Sequence, residues 1–568
     1  MRRVGTTSTP ATVPGFPNRV VNMRRADPVR ELQDAISDVV DRIRDGQRPG
    51  AEPSLERPPR ADLGDYSTNA AMLLAPLVDQ PPREVAGRLS EELGGRLGSS
   101  VERIEVAGPG FVNFFLSDGW YRRAAAEILA AGDDYGSGEL GSGERVLIEF
   151  VSANPTGPLT AAGGRHAAYG DAVARLLEFV GDSVEREFYS NDIGGQARRF
   201  TESVAARMQG EEPPEDGYAG EYVTELGQSL AAEGVDPADL DRIERLATEA
   251  MRERIDATLG RFAVRFDSWF SERSLHEDGG LQAAMELARE RGHVYESEGA
   301  TWLRTSELGD DKDRVLVRSD GEPTYFASDI AYHRDKVERG FDRLIDVLGA
   351  DHHGYVARLR AGLAAVGADP ERLEPLVMQL VHVIEGGERA QMSKRRGEFV
   401  TLDELLEDIG TDATRFFMLQ RSHDTTVDLD LELARKQSNE NPVYYVQYAH
   451  ARIASILRKA GESAVGTAME VDHESVAAPV EPAERELLKR LAELPAEAAE
   501  AAQRRAPHRL CAYATATAAD FHAFYRDCKV VGAEGEGVQE ARMGICVATK
   551  RTLATALGLL GISAPERM

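Results

Sequence analysis

The run RVLIEFVSANPTGPLTAAGGRHAAYGDAVARLLEFVGDSVEREFYSN, residues 145–191, decides the fold. RVLIEFVSAN reads as a buried strand, GRHAAYGDAVARLLEFVG as a helix and SVEREFYSN as a second strand. Strand, helix, strand is a β-α-β unit, in which a helix carries the chain back so that the second strand runs parallel to the first. Further strand-like runs at 314–318, 344–348 and 376–381, separated by helical patterns, extend the unit into a doubly wound parallel sheet.

Working outward, residues 28–117 open with an amphipathic pattern, Val29, Leu32, Ile36, Val39, Val40 and Ile43, and close with the turn-and-strand text AGPGFVNFFL, so a small α+β domain is expected. Residues 118–430 form the Rossmann-like domain, with a helical, charge-rich insertion at about 206–300 that is longer than a crossover needs. Residues 431–568 are almost wholly helical, broken by an acidic, glycine-containing loop at 532–537, and predict an all-α bundle. The chain is thus expected to be a multidomain α/β protein. Residues 1–27 precede the first helical pattern; the Pro/Thr-rich part ahead of Met23, residues 1–22, reads as a disordered tail or as sequence upstream of the true start.

The 568 residues are 42% hydrophobic and 29% charged, an ordinary globular composition. No stretch approaches the ~18 to 20 apolar residues of a membrane helix, and the N-terminus lacks an apolar signal core, so a cytoplasmic protein is expected. Cys511, Cys528 and Cys546 match no zinc or disulfide template, even with His508 and His522 nearby. A formal net charge of −29 argues against general nucleic-acid binding but does not exclude one specific RNA ligand on a local basic surface.

The chemistry of residues 149–166 sits at its turn. Pro155, Gly157 and Pro158 stop the strand, and Gly163 and Gly164 are expected to leave backbone amides free at a helix N-terminus, where the helix dipole favours phosphate. Glycines also occur in strand-to-helix turns that bind nothing, so the residues alone leave an ordinary turn open. Gln391-Met392-Ser393-Lys394-Arg395 is a basic loop before a helix. A flexible ammonium there suits phosphates whose charge shifts during a reaction, the plain alternative being a solvated loop. Asp351, His352 and His353 invite a metal reading, which is rejected because adjacent side chains rarely aim at one ion and no further ligands are visible.

These stretches share one resemblance. EFVSANPTGPL (149–159), GRHAAYGDAV (164–173) and YSNDIGGQ (189–196) are similar to the first signature region of arginyl-tRNA synthetases, a class I aminoacyl-tRNA synthetase family. QMSKR resembles the second class I signature, Lys-Met-Ser-Lys-Ser, with its second lysine kept as Lys394. LGADHHGY (348–355) looks like the family's text at a strand end, and IGTDATRFFML (409–419) resembles the Asp-Ala-Leu-Arg element, with Thr414 at the leucine position and Asp412 and Arg415 retained. NENPVYYVQYAHARI (439–453), the closing APERM, GDYSTNAAMLLA (64–75) and AGPGFVNFFL extend the likeness from about residue 28 to 568.

The resemblance implies ATP with Mg²⁺ as substrate, no tightly bound metal, and L-arginine and arginine-isoacceptor tRNAs as partners of a cytoplasmic monomer. It places Ala153, Pro155, Thr156, Gly157, Pro158, Leu159, Gly163 and Lys394 at ATP. Lys394, Ser393, Met392, Thr160, Gly163, Gly164 and His166 are implied in catalysis, with His166 one helical turn beyond Gly163 and either facing the same groove or merely packed. Glu149, Asn154, Tyr325, Asp329 and His353 are implied at arginine, and Tyr325 and Asp329, four apart, share a face if their segment is helical. On tRNA it places Tyr444, Tyr448, Arg452 and Asn69, although tyrosines on a helix also serve as core packing.

One departure stands out. Where the family usually has His-x-Gly-His, or His-x-Gly-Gly in one branch, this chain reads Thr160-Ala161-Ala162-Gly163. Loss of one well-placed donor costs ~3 kcal/mol of transition-state stabilisation if nothing compensates. The expected activity is attachment of arginine to tRNA through arginyl-adenylate. The altered signature keeps two alternatives open: a paralogue that activates arginine for another purpose, and a non-catalytic tRNA-binding homologue.

Overall fold

Five strands form the central sheet, every neighbouring pair parallel: β1 (Arg145–Glu149), β2 (Ser183–Ser190), β3 (Ser268–Ser271), β4 (Arg343–Gly349) and β5 (Leu373–Met378), in the spatial order β5-β4-β1-β2-β3. The structure, a computed structural model, describes residues 27–44, 51–138, 141–389 and 400–568. Strand order reverses between β1 and β4, and such a switch point opens a crevice at the carboxyl ends of the strands where ligands bind. Helix α1 (Ala161–Phe179) packs so closely on the sheet that a Cβ on Gly170 would lie 2.3 Å from Cγ of Phe150. Glu149, the preceding residue, points to the opposite face, which helix α2 (Tyr325–Glu338) covers.

Three sequence expectations are corrected. The run at 314–318 is not in the parallel sheet: Arg314–Val317 pairs antiparallel with Ala300–Leu303, which pairs in turn with Val294–Ser297. A short apolar run carries no record of its partner, and here the partners are local. The stretch at 206–300 is helical at Glu221–Ala232 and Leu240–Arg261, but it also supplies β3, four residues that form one edge of the main sheet. The run at 376–381 is split: β5 ends at Met378, and Val381–Glu385 starts a separate sheet beside Val427–Asp430.

The face of the sheet under α2 carries an unusual load. Asp346 on β4, Glu149 on β1 and Glu187 on β2 are register partners, so three carboxylates lie in one row, all with side chains at most 10% exposed. At a strand spacing of ~5 Å and an effective dielectric of ~20, each neighbouring pair of charges would repel by about 3 kcal/mol. Helix α2 supplies the compensation from one face. Lys336 Nζ, fully buried, donates to Glu149 Oε2 at 2.6 Å and Asp346 Oδ1 at 2.8 Å. His333 Nε2 lies 2.7 Å from Asp346 Oδ2, and Arg339 forks onto Glu187 at 2.7 and 2.8 Å. The Tyr332 hydroxyl and Ser268 Oγ also donate to Glu187. Burial works against each charge, but the partners outweigh it: Lys336 is held above its ordinary pKa, and Asp346 and Glu187 below theirs.

Before this sheet, helices Ala70–Val78 and Pro82–Leu97 pack on a four-stranded antiparallel sheet, with Arg30–Ile43 against both helices. After it, α3 (Gly410–Leu419) leads to a bundle that includes α4 (Pro442–Ala460), α5 (His508–Asp527) and α6 (Val538–Leu559). Arg415 of α3 ties these parts together. Fully buried, it donates from Nη2 to Asp171 of α1 at 2.6 Å, from Nε to the Leu560 carbonyl at 2.8 Å and from Nη1 to the Phe262 carbonyl at 3.1 Å. Arg415→Met is expected to cost about 2 to 4 kcal/mol, because it leaves two carbonyls without a donor and takes from Asp171 its buried partner, with Arg175 and Arg186 remaining. A thermal-unfolding midpoint well below that of the parent checks this.

Candidate active site

Immediately after Glu149 the backbone is strained: Val151 and Ser152 have φ of 71° and 38°, values that a β-branched residue in particular avoids. The reverse turn brings the Ser152 hydroxyl back onto Glu149 Oε1 at 2.6 Å, while Lys336 holds Oε2. Glu149 is therefore fixed at both oxygens at the carboxyl end of β1. Two residues beyond Ser152, Asn154 donates from Nδ2 to Gln196. Thr156 is buried, and the Tyr222 hydroxyl donates to its carbonyl at 2.8 Å.

The turn enters α1 at Thr160, whose Oγ1 accepts from the Gly163 amide at 3.3 Å. The Gly164 amide donates to the Thr160 carbonyl at 2.9 Å. This corrects the expectation of free amides at Gly163 and Gly164: both are engaged in capping the helix, as the first turn requires. Gly164 has a packing reason to be glycine, since a Cβ there would lie 2.8 Å from Leu402 Cδ1. Thr160 keeps one hydroxyl proton to donate. The neighbouring Ala161 amide donates to Val400 O at 2.9 Å, and Leu402 N to Leu159 O at 2.8 Å. Residues 400–402 are thereby zipped onto this turn. Met392, Ser393 and Lys394 themselves lie outside the described residues.

Arg165, absent from the sequence reading, is fully buried and donates to four backbone carbonyls, those of Gln379, Leu380, Ser422 and Thr425, at 2.7 to 3.3 Å. Burial pushes its pKa down to about 10. It clamps α1 to the segment that leads toward the basic loop. His166 lies within electrostatic reach of Asp351 and His352 in the turn Ala350–Tyr355. Burial, with Arg165 beside it, pushes its pKa down to about 4. It is a neutral imidazole at pH 7 and offers a single N–H, not a replacement cation. The side chain of His353 lies outside the described residues.

Tyr325 and Asp329 do share one face of a helix, α2. Tyr325 is 57% exposed, and its hydroxyl stands beside Gly194. Asp329 accepts from the Tyr355 hydroxyl, and burial raises its pKa. The fold adds a residue that the sequence reading missed: Glu272, just after β3, only 3% exposed and with Oε2 lacking any hydrogen-bond partner. Burial first, and then the nearby Asp329 and Asp192 against the hydroxyls of Ser328 and Tyr189, leave its pKa at about 7. Nothing in SERSLHE sets Glu272 apart from other surface-helix glutamates; only the return of the chain to the sheet edge places it beside Asp329. Glu272, buried, and Asp329, half-buried, are thus neighbouring carboxyls that both hold their protons above the ordinary carboxylate range, and no cation among the described residues acts on Glu272.

On the bundle, Tyr444 and Tyr448 of α4 stack with ring centroids 6.2 Å apart and 7° between planes, and the Arg452 guanidinium lies over Tyr448 and over the exposed Tyr525 of α5. In the N-terminal domain Asn69 spends its side-chain oxygen on the Ser54 amide at 2.9 Å. Among the described residues no group of three His, Cys, Asp or Glu side chains is placed to hold a metal ion, and no helix is long and apolar enough to cross a membrane.

A parallel sheet whose switch point carries this turn, with a helical bundle after it, is the arrangement of a class I aminoacyl-tRNA synthetase. Three family models match: "Arginyl tRNA synthetase N terminal domain" over residues 30–116, "tRNA synthetases class I (R), catalytic domain" over 222–455 and "DALR anticodon binding domain" over 446–568. An arginine–tRNA ligase of Carboxydothermus hydrogenoformans is 46% identical over 90% of this chain and 94% of its own, and one of Geobacillus thermodenitrificans 47% identical over the same shares. The solved arginyl-tRNA synthetase of Thermus thermophilus superposes with a TM-score of 0.72 at 27% identity, covering 95% of this chain and all of that one. The chain belongs to the arginyl-tRNA synthetase family.

The raised pKa of Glu272 gives a signed expectation. In the free protein the carboxyl keeps its proton up to about pH 7, so a guanidinium that binds below that pH must expel it. Arginine affinity should rise with pH toward about 7 and then level, with close to one proton released per arginine bound near pH 6. Calorimetry in buffers of different ionisation enthalpy measures this, and Glu272→Gln should flatten the slope. The same shift makes the unliganded fold lose stability as pH rises from about 4.5 to about 7, since the folded form holds the proton longer than the unfolded one.

Proposed function

We infer that this chain is an arginine–tRNA ligase. A carboxylate oxygen of L-arginine attacks the α-phosphorus of ATP, pyrophosphate leaves, and a terminal tRNA hydroxyl then takes the arginyl group from the adenylate. The observation that carries the amino-acid assignment is the pair of neighbouring carboxyls with raised pKa values, buried Glu272 with one oxygen unpartnered and half-buried Asp329, with the exposed Tyr325 on the helix face of Asp329. A guanidinium suits that pair with a planar fork of donors and an aromatic neighbour. Glu149 and Asn154 sit where β1 runs into the phosphate turn, which suits the α-ammonium end of the amino acid and brings its carboxylate toward ATP.

ATP, accompanied by Mg²⁺, is assigned to residues 153–160 and the N-terminal turn of α1. Two features support this: the Thr160 hydroxyl keeps a proton to donate, and the bonds from Val400 and Leu402 to residues 159–161 bring one end of the Lys394 loop to the same place. Lys394 is assigned to the phosphates as a mobile point charge, and His166 supplies one neutral N–H across the cleft. Catalysis then rests on positioning and charge stabilisation. The stacked Tyr444 and Tyr448 with Arg452 suit single-stranded bases of tRNA, and Asn69 retains its amide N–H groups for a contact in the N-terminal domain. Action as a cytoplasmic monomer belongs to the same reading.

Pyrophosphate exchange with arginine, ATP and purified tRNA tests the assignment. Exchange that depends on arginine is expected; its absence, with tRNA binding intact, would sink the enzyme reading. Thr160→Val should slow exchange about a hundredfold with little change in the KM for arginine, as loss of one transition-state donor does. A rate within threefold of the parent would remove Thr160 from catalysis.

A further inference from the structure

Lys336 stands outside every site assigned above, yet its ammonium touches one of them. It is wholly buried, it bridges Glu149 and Asp346 at 2.6 and 2.8 Å, and it lies 4.3 Å from the Tyr332 ring centre. Glu149 and Asp346 are opposite one another in the β1–β4 register, at the switch point where the crevice opens. Without a cation between them, two facing carboxylates must share a proton or move apart. Lys336 also lies about two helical turns beyond Asp329 on the same face of α2, so its bridge to the sheet fixes how far along the sheet Asp329 and Tyr325 stand.

Neutralising the row explains a cation at this height, but not why it bonds the carboxylate that ends in the strained turn. Buried ion pairs seldom stabilise a fold beyond what apolar packing of similar volume would give. What this one does is hold one carboxylate oxygen of Glu149 in place, while Ser152 holds the other from the strained turn.

We propose that Lys336 is a positioning residue for arginine recognition: by bridging Glu149 and Asp346 it orients the Glu149 carboxylate toward the amino acid and sets the register of α2 that delivers Asp329. This rests on the reading that Glu149 meets arginine. The groups that face Lys336 are Glu149 on β1, Asp346 on β4, and Tyr332 and His333 on its own helix, with Glu187 and Arg339 next along the row.

The test uses the full chain in pyrophosphate exchange with tRNA, between pH 6 and 9, on Lys336→Met, Lys336→Met/Asp346→Asn and Glu149→Gln. Lys336→Met should raise the KM for arginine at least about tenfold, with the KM for ATP little changed. It should also impose a new pH dependence on arginine binding, as Glu149 and Asp346 come to share a proton. The double variant removes the competing carboxylate and is the folded control should the single one unfold; its KM for arginine should stay raised. A folded Lys336 variant with the parental KM for arginine and the parental pH profile overturns the proposal. If Glu149→Gln also leaves the KM for arginine unchanged, the reading of Glu149 fails with it; if Glu149→Gln raises that KM and Lys336→Met does not, the proposal about Lys336 alone fails.

Discussion

Three carboxylates in one row of a buried sheet, Asp346, Glu149 and Glu187, repel one another and have no water to screen them. The helix above must therefore bring cations and donors at fixed intervals, and α2 does so with Tyr332, His333, Lys336 and Arg339. Once those pairs are made, the helix has one register against the sheet. Its first turns then project past the carboxyl edge of the strands, where Tyr325 and Asp329 meet Glu272 from the end of β3. The row is neutralised within the protein, whereas Glu272 keeps a carboxyl oxygen without a partner, which is why the proposed function gives that pair to the substrate.

The turn to which ATP is assigned follows a different logic, in which the backbone is committed to structure and little is left to spare. Thr160 caps α1, Gly164 admits Leu402, and Arg165 binds four carbonyls of the segments leading to and from the basic loop. The altered signature keeps its cap through Thr160 but has no imidazolium to offer, since the burial of His166 keeps it neutral. On the proposed assignment, activation falls to the remaining Thr160 proton, the single N–H of His166 and Lys394.

The parts of this picture that were legible in the sequence are those with strong local patterns. β1, α1 and β2 are visible because a long apolar run, a small-residue helix and a second strand follow one another within residues 145–191. Tyr325 and Asp329, singled out by the resemblance, share one face because their segment is the helix that their spacing required. β3 was hidden because four residues ending in serine, between helices, have no periodicity to read, and Arg314–Val317 was placed in the wrong sheet because a strand's sequence does not name its neighbour. Glu272, Lys336 and Arg165 were invisible for a shared reason. Each looks like an ordinary charged residue on a helix, and only burial, a property of the assembled layers, gives it a partner or leaves it without one.

The most direct measurement is a crystal structure of the protein with arginine bound. The guanidinium should lie between Glu272 and Asp329 with Tyr325 at its side, the α-ammonium at Glu149 and Asn154, and Lys336 still bridging Glu149 and Asp346. Arginine bound in the reverse sense, or a Lys336 swung away from Glu149 when the amino acid arrives, would contradict the account.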